Sequence, residues 1–292
     1  MIIVFTDLDG TLLDENYSCE AAKQALDFLI RSYIPIVFCS SKTKAEIEVY
    51  RSELGIPDPF ISENGGAIFI PKNYFTFPYD YTKQEGGYTI IELGRDYSML
   101  RSALKKIREK SGSKIIGFGD MHAQEIAKEC GLHLRQAELA KRRDYDEAFR
   151  IVEGNENDIL RLIREEGLNC TKGGRYFHLM GDNDKGMAVR ILTKLFSKKY
   201  KFIRTMGLGD SVNDVPLLEA VDVPVLVKRA DGTHNGDILV KNIIKVDGIG
   251  PWGWKEAIEK IVMVELNRQI ENGSFGYSYG QKMRSRHTAQ LL

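Results

Sequence analysis

The sequence predicts an α/β fold, a doubly wound Rossmann-like parallel sheet into which a separate α+β unit is inserted. Three observations carry this. Ile2-Ile3-Val4-Phe5 and Ile34 to Cys39 are short apolar runs, largely β-branched, of the kind buried on both faces of a parallel sheet. Helical spacings alternate with them, the pattern that joins parallel neighbours by right-handed crossovers. The texture then changes near Pro78 and returns near Lys185, so the chain leaves the sheet and comes back.

The elements follow in order. After the first strand, Ala22, Ala25, Leu26 and Leu29 mark a helix within Cys19 to Ser32. The second strand leads to a helix from Lys44 to Leu54, opened by a capping box of Thr43 and Glu46. Pro59 to Ser62 runs through Glu63-Asn64-Gly65-Gly66 into a strand from Ala67 to Ile70, expected in the same parallel sheet. Tyr79 to Gly87 reads as a linker. The insert begins with a strand at Tyr88 to Leu93 and a helix from Tyr97 to Lys110, followed by a short strand at Ile115-Ile116. Helical patterns at 123–130 and 136–142, a strand at 148–152 and a helix at 158–166 come next. A hairpin of 169–172 and 176–180 about Gly173-Gly174 closes the insert. Ala188, Ile191, Leu192 and Leu195 then mark a core helix, and 202–208 and 223–227 read as core strands. The expected division is a core of 1–80 and 181–266, an insert of 81–180, and a polar tail of 267–292.

Composition narrows the function. With 43% hydrophobic residues among 292, the chain can bury a real core. Lys plus Arg and Asp plus Glu both number 41, so no global charge favours nucleic acid or an anionic membrane as partner. Four scattered cysteines form no Cys-x-x-Cys pair, which argues against zinc or a disulfide framework and fits a reducing, cytoplasmic setting. No apolar run approaches the roughly 18 residues of a membrane span.

The chemistry concentrates at strand ends, the carboxyl edge where open α/β sheets bind ligands. Asp7-Leu8-Asp9-Gly10-Thr11 follows the first strand, with two carboxylates on one side whose repulsion a divalent cation would offset. An acidic turn with Asp capping the next helix is the local alternative. Gly209-Asp210-Ser211-Val212-Asn213-Asp214 ends a later strand, and oxygen-only groups of this kind suit Mg²⁺. Asp214 as a simple N-cap is compatible with that role. Lys185 stands in the first turn of its helix, where the dipole disfavours a cation unless an anion lies there too. Ser40 ends the second strand and is left free by the Thr43 capping box to meet an oxyanion.

With these motifs in order, the chain resembles the haloacid dehalogenase superfamily of phosphotransferases. Ser40-Ser41-Lys42-Thr43, Gly117-Phe118-Gly119-Asp120-Met121, Arg143-Asp144-Tyr145, Gly173-Gly174-Arg175-Tyr176-Phe177-His178 and Gly250-Pro251-Trp252-Gly253-Trp254 make it similar to the mannosyl-3-phosphoglycerate phosphatase family over residues 1 to about 263. Ser-Ser-Lys stands where many sugar phosphatases have Thr-Gly-Arg, a departure that this family shares.

The resemblance implies an enzyme, a Mg²⁺-dependent hydrolase of a phosphorylated glycoside. Asp7 would be nucleophile, Asp9 acid and base, Ser40 and Lys185 phosphate-binding. Asp7, Asp9 (through its carbonyl), Asp210 and Asp214 would hold the metal, with Asn213 in support. The insert becomes a cap whose candidate readers of sugar and glycerate are Lys42, Arg143, Lys172, Arg175 and His178, with Asn64 at the pocket edge; ordinary structural roles remain open for each. Trp252 and Trp254 are expected to pack the final helix on the core. The substrate expected is mannosyl-3-phosphoglycerate. A glucosyl or simpler sugar phosphate, a phosphomannomutase activity and a non-catalytic binding role stay as alternatives, and oligomeric state stays open.

Overall fold

The computed structural model describes residues 1–266 of the chain. Its centre is a five-stranded parallel sheet in the order 244–249, 223–228, 204–209, 2–6, 36–38. Strand alternation explains why every residue of Ile2–Thr6 is buried. Ile2 and Val4 pack on one face against Leu26, Ile47 and Trp254. Ile3 and Phe5 pack on the other against Leu192, Phe196 and Leu217. Each large apolar side chain so buried stabilises by roughly 1.5–3 kcal/mol relative to exposure, which is why this strand needs no polar residue before Thr6.

The strand Ile2–Thr6 lies between its two neighbours in parallel register, with Thr6 opposite Leu208 and opposite Phe38. Three consecutive strand ends therefore deliver Asp7, Asp210 and Ser40 to one edge of the sheet. The helix Lys44–Leu54 begins with the expected capping box, Thr43 accepting from the Glu46 amide and Glu46 from the Thr43 amide. Asp184 caps the helix Lys185–Lys199 by accepting from the Met187 amide.

Two expectations about pairing fail. The strand Ala67–Pro71 does not join the parallel sheet. It runs antiparallel to Phe60–Ser62, because the connection through 63–66 is too short for a crossover. Tyr88–Glu92, expected to open the insert, pairs antiparallel with Ala67–Pro71 instead. The supposed linker contributes a short strand, Lys83–Glu85, which completes this second sheet. The strand Ile244–Ile249 forms an edge of the parallel sheet, and its sequence carries no apolar strand pattern that predicts it.

The insert's own sheet is antiparallel, in the order 114–117, 147–153, 176–180, 169–173. One face packs on the helices Tyr97–Ser111 and Glu156–Glu165 through Leu104, Ile159, Phe149 and Phe177. Ala148 and Tyr176, on the alternate positions, face a smaller cluster with Phe118 and Ile126. The insert also touches the core directly: the Tyr17 hydroxyl donates to the Cys130 carbonyl at 3.2 Å and Thr43 to the Leu139 carbonyl at 3.0 Å. The polar tail expected at 267–292 lies outside the described residues. Among those described, no helix is long and apolar enough to cross a membrane.

Candidate active site

The acidic strand ends converge. Asp7, Asp210 and Asp214 each offer a carboxylate oxygen within 4.8 Å of the others. Lys185 reaches into them from the start of its helix, with Nζ 2.6 Å from Asp7 Oδ1 and 2.6 Å from Asp214 Oδ1. Only 1% of this lysine is exposed, so the pairs are charge-assisted and shielded from water. The remaining oxygen of Asp214 accepts from the backbone amides of Asp210 and Ser211 at 3.1 and 3.0 Å. Its carboxylate thus shapes the turn rather than capping the helix Val215–Glu219, where it makes no side-chain cap. Thr11 and Ser211 hydroxyls donate to the two oxygens of Asp210 at 2.9 and 3.1 Å.

Three carboxylates facing one ammonium leave a buried net charge of about −2 when all are ionised, and the electrostatics register that excess. Burial first, then Asp214, pushes the Asp7 carboxyl well above the ordinary carboxylate range, with Lys185 opposing. Asp210 is pushed up to about 7, by burial and then by Asp214. For Lys185, burial opposes the charge, but Asp214 and Asp7 outweigh it and raise its pKa. The donor set is oxygen alone, and Asn213 adds a buried Oδ1 without a partner among the described residues. These residues fit a hard divalent cation, which would restore charge balance. Gly10 closes this floor at φ +77°, and a Cβ there would stand 2.8 Å from Asp210 Oδ2.

Asp9 is separate from the three-carboxylate cluster. Its Oδ2 pairs with Lys42 Nζ at 2.9 Å, while its Oδ1 is buried without a partner among the described residues. Lys42 is itself buried, 3.6 Å from Glu46 and over the Tyr17 ring at 4.9 Å. Burial opposes its charge, yet Asp9 and Glu46 prevail and raise its pKa. Ser40 is 1% exposed, and its Oγ accepts from the Lys42 amide at 3.3 Å, leaving the hydroxyl proton to donate elsewhere.

A second polar network joins the insert to this floor. Asn64 donates to Asp146 Oδ2 at 2.8 Å and accepts from Asn213 Nδ2 at 3.2 Å. Glu63 and Asn64 both hold left-handed backbone, at φ +46° and +53°, a state that Asn tolerates but that strains Glu63. Bonds around the turn sustain it: the Glu63 carboxylate accepts the amides of Asp144 and Tyr145, and Asn183 Nδ2 donates to the Asn64 carbonyl at 3.3 Å. Burial pushes the Glu63 carboxyl up to about 8, against the pull of Arg143. Asp146 goes the other way: burial opposes its charge, but His178 and Arg143 lower its pKa.

The expected cap readers therefore divide. His178 is buried against Asp146, with Nδ1 2.9 Å from Oδ1. Arg143 is also buried, and its donors go to Asp146, to the Asp146 carbonyl at 2.7 Å and to the Ser41 carbonyl at 2.9 Å. It ties the turn before the strand 147–153 of the insert to the loop after Ser40. Lys172 and Arg175 lie exposed on the hairpin, Lys172 over the Phe177 ring at 4.7 Å. Trp254 packs as expected, fully buried, its Nε1 donating to the Thr6 hydroxyl at 3.0 Å. Trp252 does not: it is 62% exposed, because the short helix Pro251–Ala257 turns only one of the two rings inward. The roles of Asp146, Glu63 and Asn183 carry no signal in the sequence. Each sits in a turn whose composition looks like any polar loop.

Comparison with known proteins decides the family. The family described as haloacid dehalogenase-like hydrolase matches residues 4–235. The chain belongs to that family. A glucosyl-3-phosphoglycerate/mannosyl-3-phosphoglycerate phosphatase of Methanococcoides burtonii is 51% identical over 264 residues, covering 89% of this chain and 97% of the relative. A mannosyl-3-phosphoglycerate phosphatase of Pyrococcus horikoshii is 39% identical over 226 residues, covering 77% and 90%. A solved structure from Streptococcus mutans superposes with a TM-score of 0.63 at 17% identity, over 89% of this chain and 98% of that one. That last likeness speaks for the fold alone. This family member is a hydrolase whose acidic floor sits where its fold places ligands.

Proposed function

We propose that this hydrolase removes phosphate from mannosyl-3-phosphoglycerate, releasing mannosylglycerate, and that it accepts the glucosyl epimer as well. The observation that carries the reading is the buried Lys185 held between Asp7 and Asp214 beside Asp210. A site built around a fixed ammonium and an excess of carboxylates binds a dianionic phosphoryl group only with added positive charge. That favours Mg²⁺, held by Asp7, Asp210, Asp214 and the Asp9 carbonyl with Asn213 in support. When bound, the ion neutralises phosphoryl oxygens and leaves less charge to build up in the transition state. Two relatives named for both sugars, at 51% and 43% identity, support the dual specificity.

In this mechanism an Asp7 oxygen attacks phosphorus, forming an aspartyl-phosphate as the phosphorus–glycerate oxygen bond breaks. Asp9, through its unpartnered Oδ1, gives a proton to the departing oxygen and later takes one from the water that releases phosphate. Lys185 and the Ser40 hydroxyl bind the phosphoryl oxygens, and Lys42 steadies Asp9. Residues 1–80 and 181–266 supply this chemistry, and Lys83–Glu85 and Tyr88–Glu92 lend two strands to the core's second sheet. The insert excludes water and reads the glycoside.

A panel of phosphorylated sugars and glycosyl-3-phosphoglycerates, scored by phosphate release with Mg²⁺ and with excess chelator, tests the reading. The two glycosyl-3-phosphoglycerates should give the highest kcat/KM, and the chelator should abolish turnover. Faster turnover of simple hexose phosphates, or none of any ester, would overturn it.

A further inference from the structure

We propose that Asp146 and His178 form a substrate-reading pair: Asp146 positions the imidazole, and His178 Nε2 meets an oxygen of the part of the substrate beyond the phosphate. The proposal rests on the phosphatase reading above and names a source of its selectivity.

Strand alternation sets the direction. Phe177 and Leu179 pack toward the insert's helices, so His178 points the other way, on the face it shares with Tyr176. Both oxygens of Asp146 lie against His178 Nδ1, at 2.9 and 3.0 Å. Asp146 is itself fixed by Arg143 at 3.1 Å and Asn64 at 2.8 Å and is fully buried. The imidazole is thus held in one orientation with its Nδ1 proton engaged. Nε2 has no hydrogen bond among the described residues, and the side chain is 8% exposed.

The neighbours of Gly173 place Nε2 at the boundary between insert and core. A Cβ built on Gly173 would stand 3.5 Å from Nε2 and 3.3 Å from Asn213 Nδ2. The imidazole on the insert side and Asn213 of the acidic loop on the core side therefore approach the same backbone position, which puts Nε2 beside the acidic floor. With phosphate on Asp7, the sugar or glycerate end must extend toward the insert. A fixed imidazole offers a lone pair to a hydroxyl or, when protonated, an N–H to a carboxylate. A glycosyl glycerate carries both groups; an aryl phosphate carries neither.

The test compares kcat and KM of the wild type, Asp146→Asn, His178→Gln and the double variant. The substrates are the best phosphorylated sugar from the panel and p-nitrophenyl phosphate. Each single variant should raise KM for the sugar ester about tenfold or more while changing kcat/KM for the aryl ester less than about threefold. The double variant should be no worse than the worse single, because the two residues act as one unit. Equal losses on both esters, an unchanged KM, or additive losses would overturn the proposal. Asp146→Asn removes the ion-pair partner of the buried Arg143; should it fail to fold, the KM split of His178→Gln decides alone. Failure of the wild type on glycosyl-3-phosphoglycerates would sink the substrate reading only, since the comparison then uses whichever phosphorylated sugar is turned over.

Discussion

Without the proposed divalent cation, the acidic floor should be a pH-dependent weakness. Asp210 is raised from an ordinary 3.8 to about 7 in the fold, and Asp7 is raised too. An acid whose folded pKa exceeds its unfolded one binds more protons when folded. Stability then falls as pH rises through that window, from about 4 to about 7. Three units at about 1.4 kcal/mol each set an upper limit of about 4 kcal/mol for Asp210. Buried Glu63, pushed to about 8, adds a loss of the same sign. Carboxylates lowered in the fold, such as Asp146 and Asp120, act below their ordinary range and leave this window alone. Urea unfolding in excess EDTA, at intervals from about pH 4.5 to 8, reads the slope, and Asp210→Asn removes the Asp210 share. With Mg²⁺ present the wild-type slope should flatten or reverse. A metal-free wild type that gains stability across this window, or matches Asp210→Asn throughout, would refute the reasoning.

Other substitutions have equally definite outcomes. Lys185→Met strips the shared cation from Asp7 and Asp214; phosphate release should fall at least about a thousandfold, and metal-free stability near neutral pH by about 3–5 kcal/mol, measured by kinetics and urea unfolding. Gly10→Ala places a methyl 2.8 Å from Asp210 Oδ2 on a left-handed backbone, so a Mg²⁺ titration of activity should show at least about tenfold weaker apparent affinity. Trp254→Ala should cost about 3–5 kcal/mol by cavity formation in the buried ring's place, against less than about 0.5 for the exposed Trp252→Ala, compared by urea midpoints.

Much of the floor was legible in the sequence because a parallel strand buried on both faces has an unmistakable composition and a fixed exit. Asp7, Asp210 and Ser40 each follow such a strand, and Lys185 opens a helix at the same edge. Local spacing could not say which strand pairs with which. Tyr88–Glu92 reads as a strand in either unit, and only the antiparallel partner at Ala67–Pro71 assigns it. Lys83–Glu85 is exposed at every position and carries no apolar signal, while Ile244–Ile249 mixes Lys, Asp and Gly into an edge strand. Asp146 illustrates the deeper limit. Its partners Asn64 and His178 lie 82 and 32 residues away, so their convergence is a property of the folded chain alone.

Phosphate release by Asp7→Asn tests the central claim most directly. The variant keeps the shape of a side chain that Lys185 and two further carboxylates surround, yet cannot take the phosphoryl group onto a carboxylate oxygen. With Mg²⁺ and the best glycosyl-3-phosphoglycerate, turnover should drop by at least about ten-thousandfold in a protein that still unfolds cooperatively. A folded Asp7→Asn protein that releases phosphate at close to the wild-type rate would contradict the account.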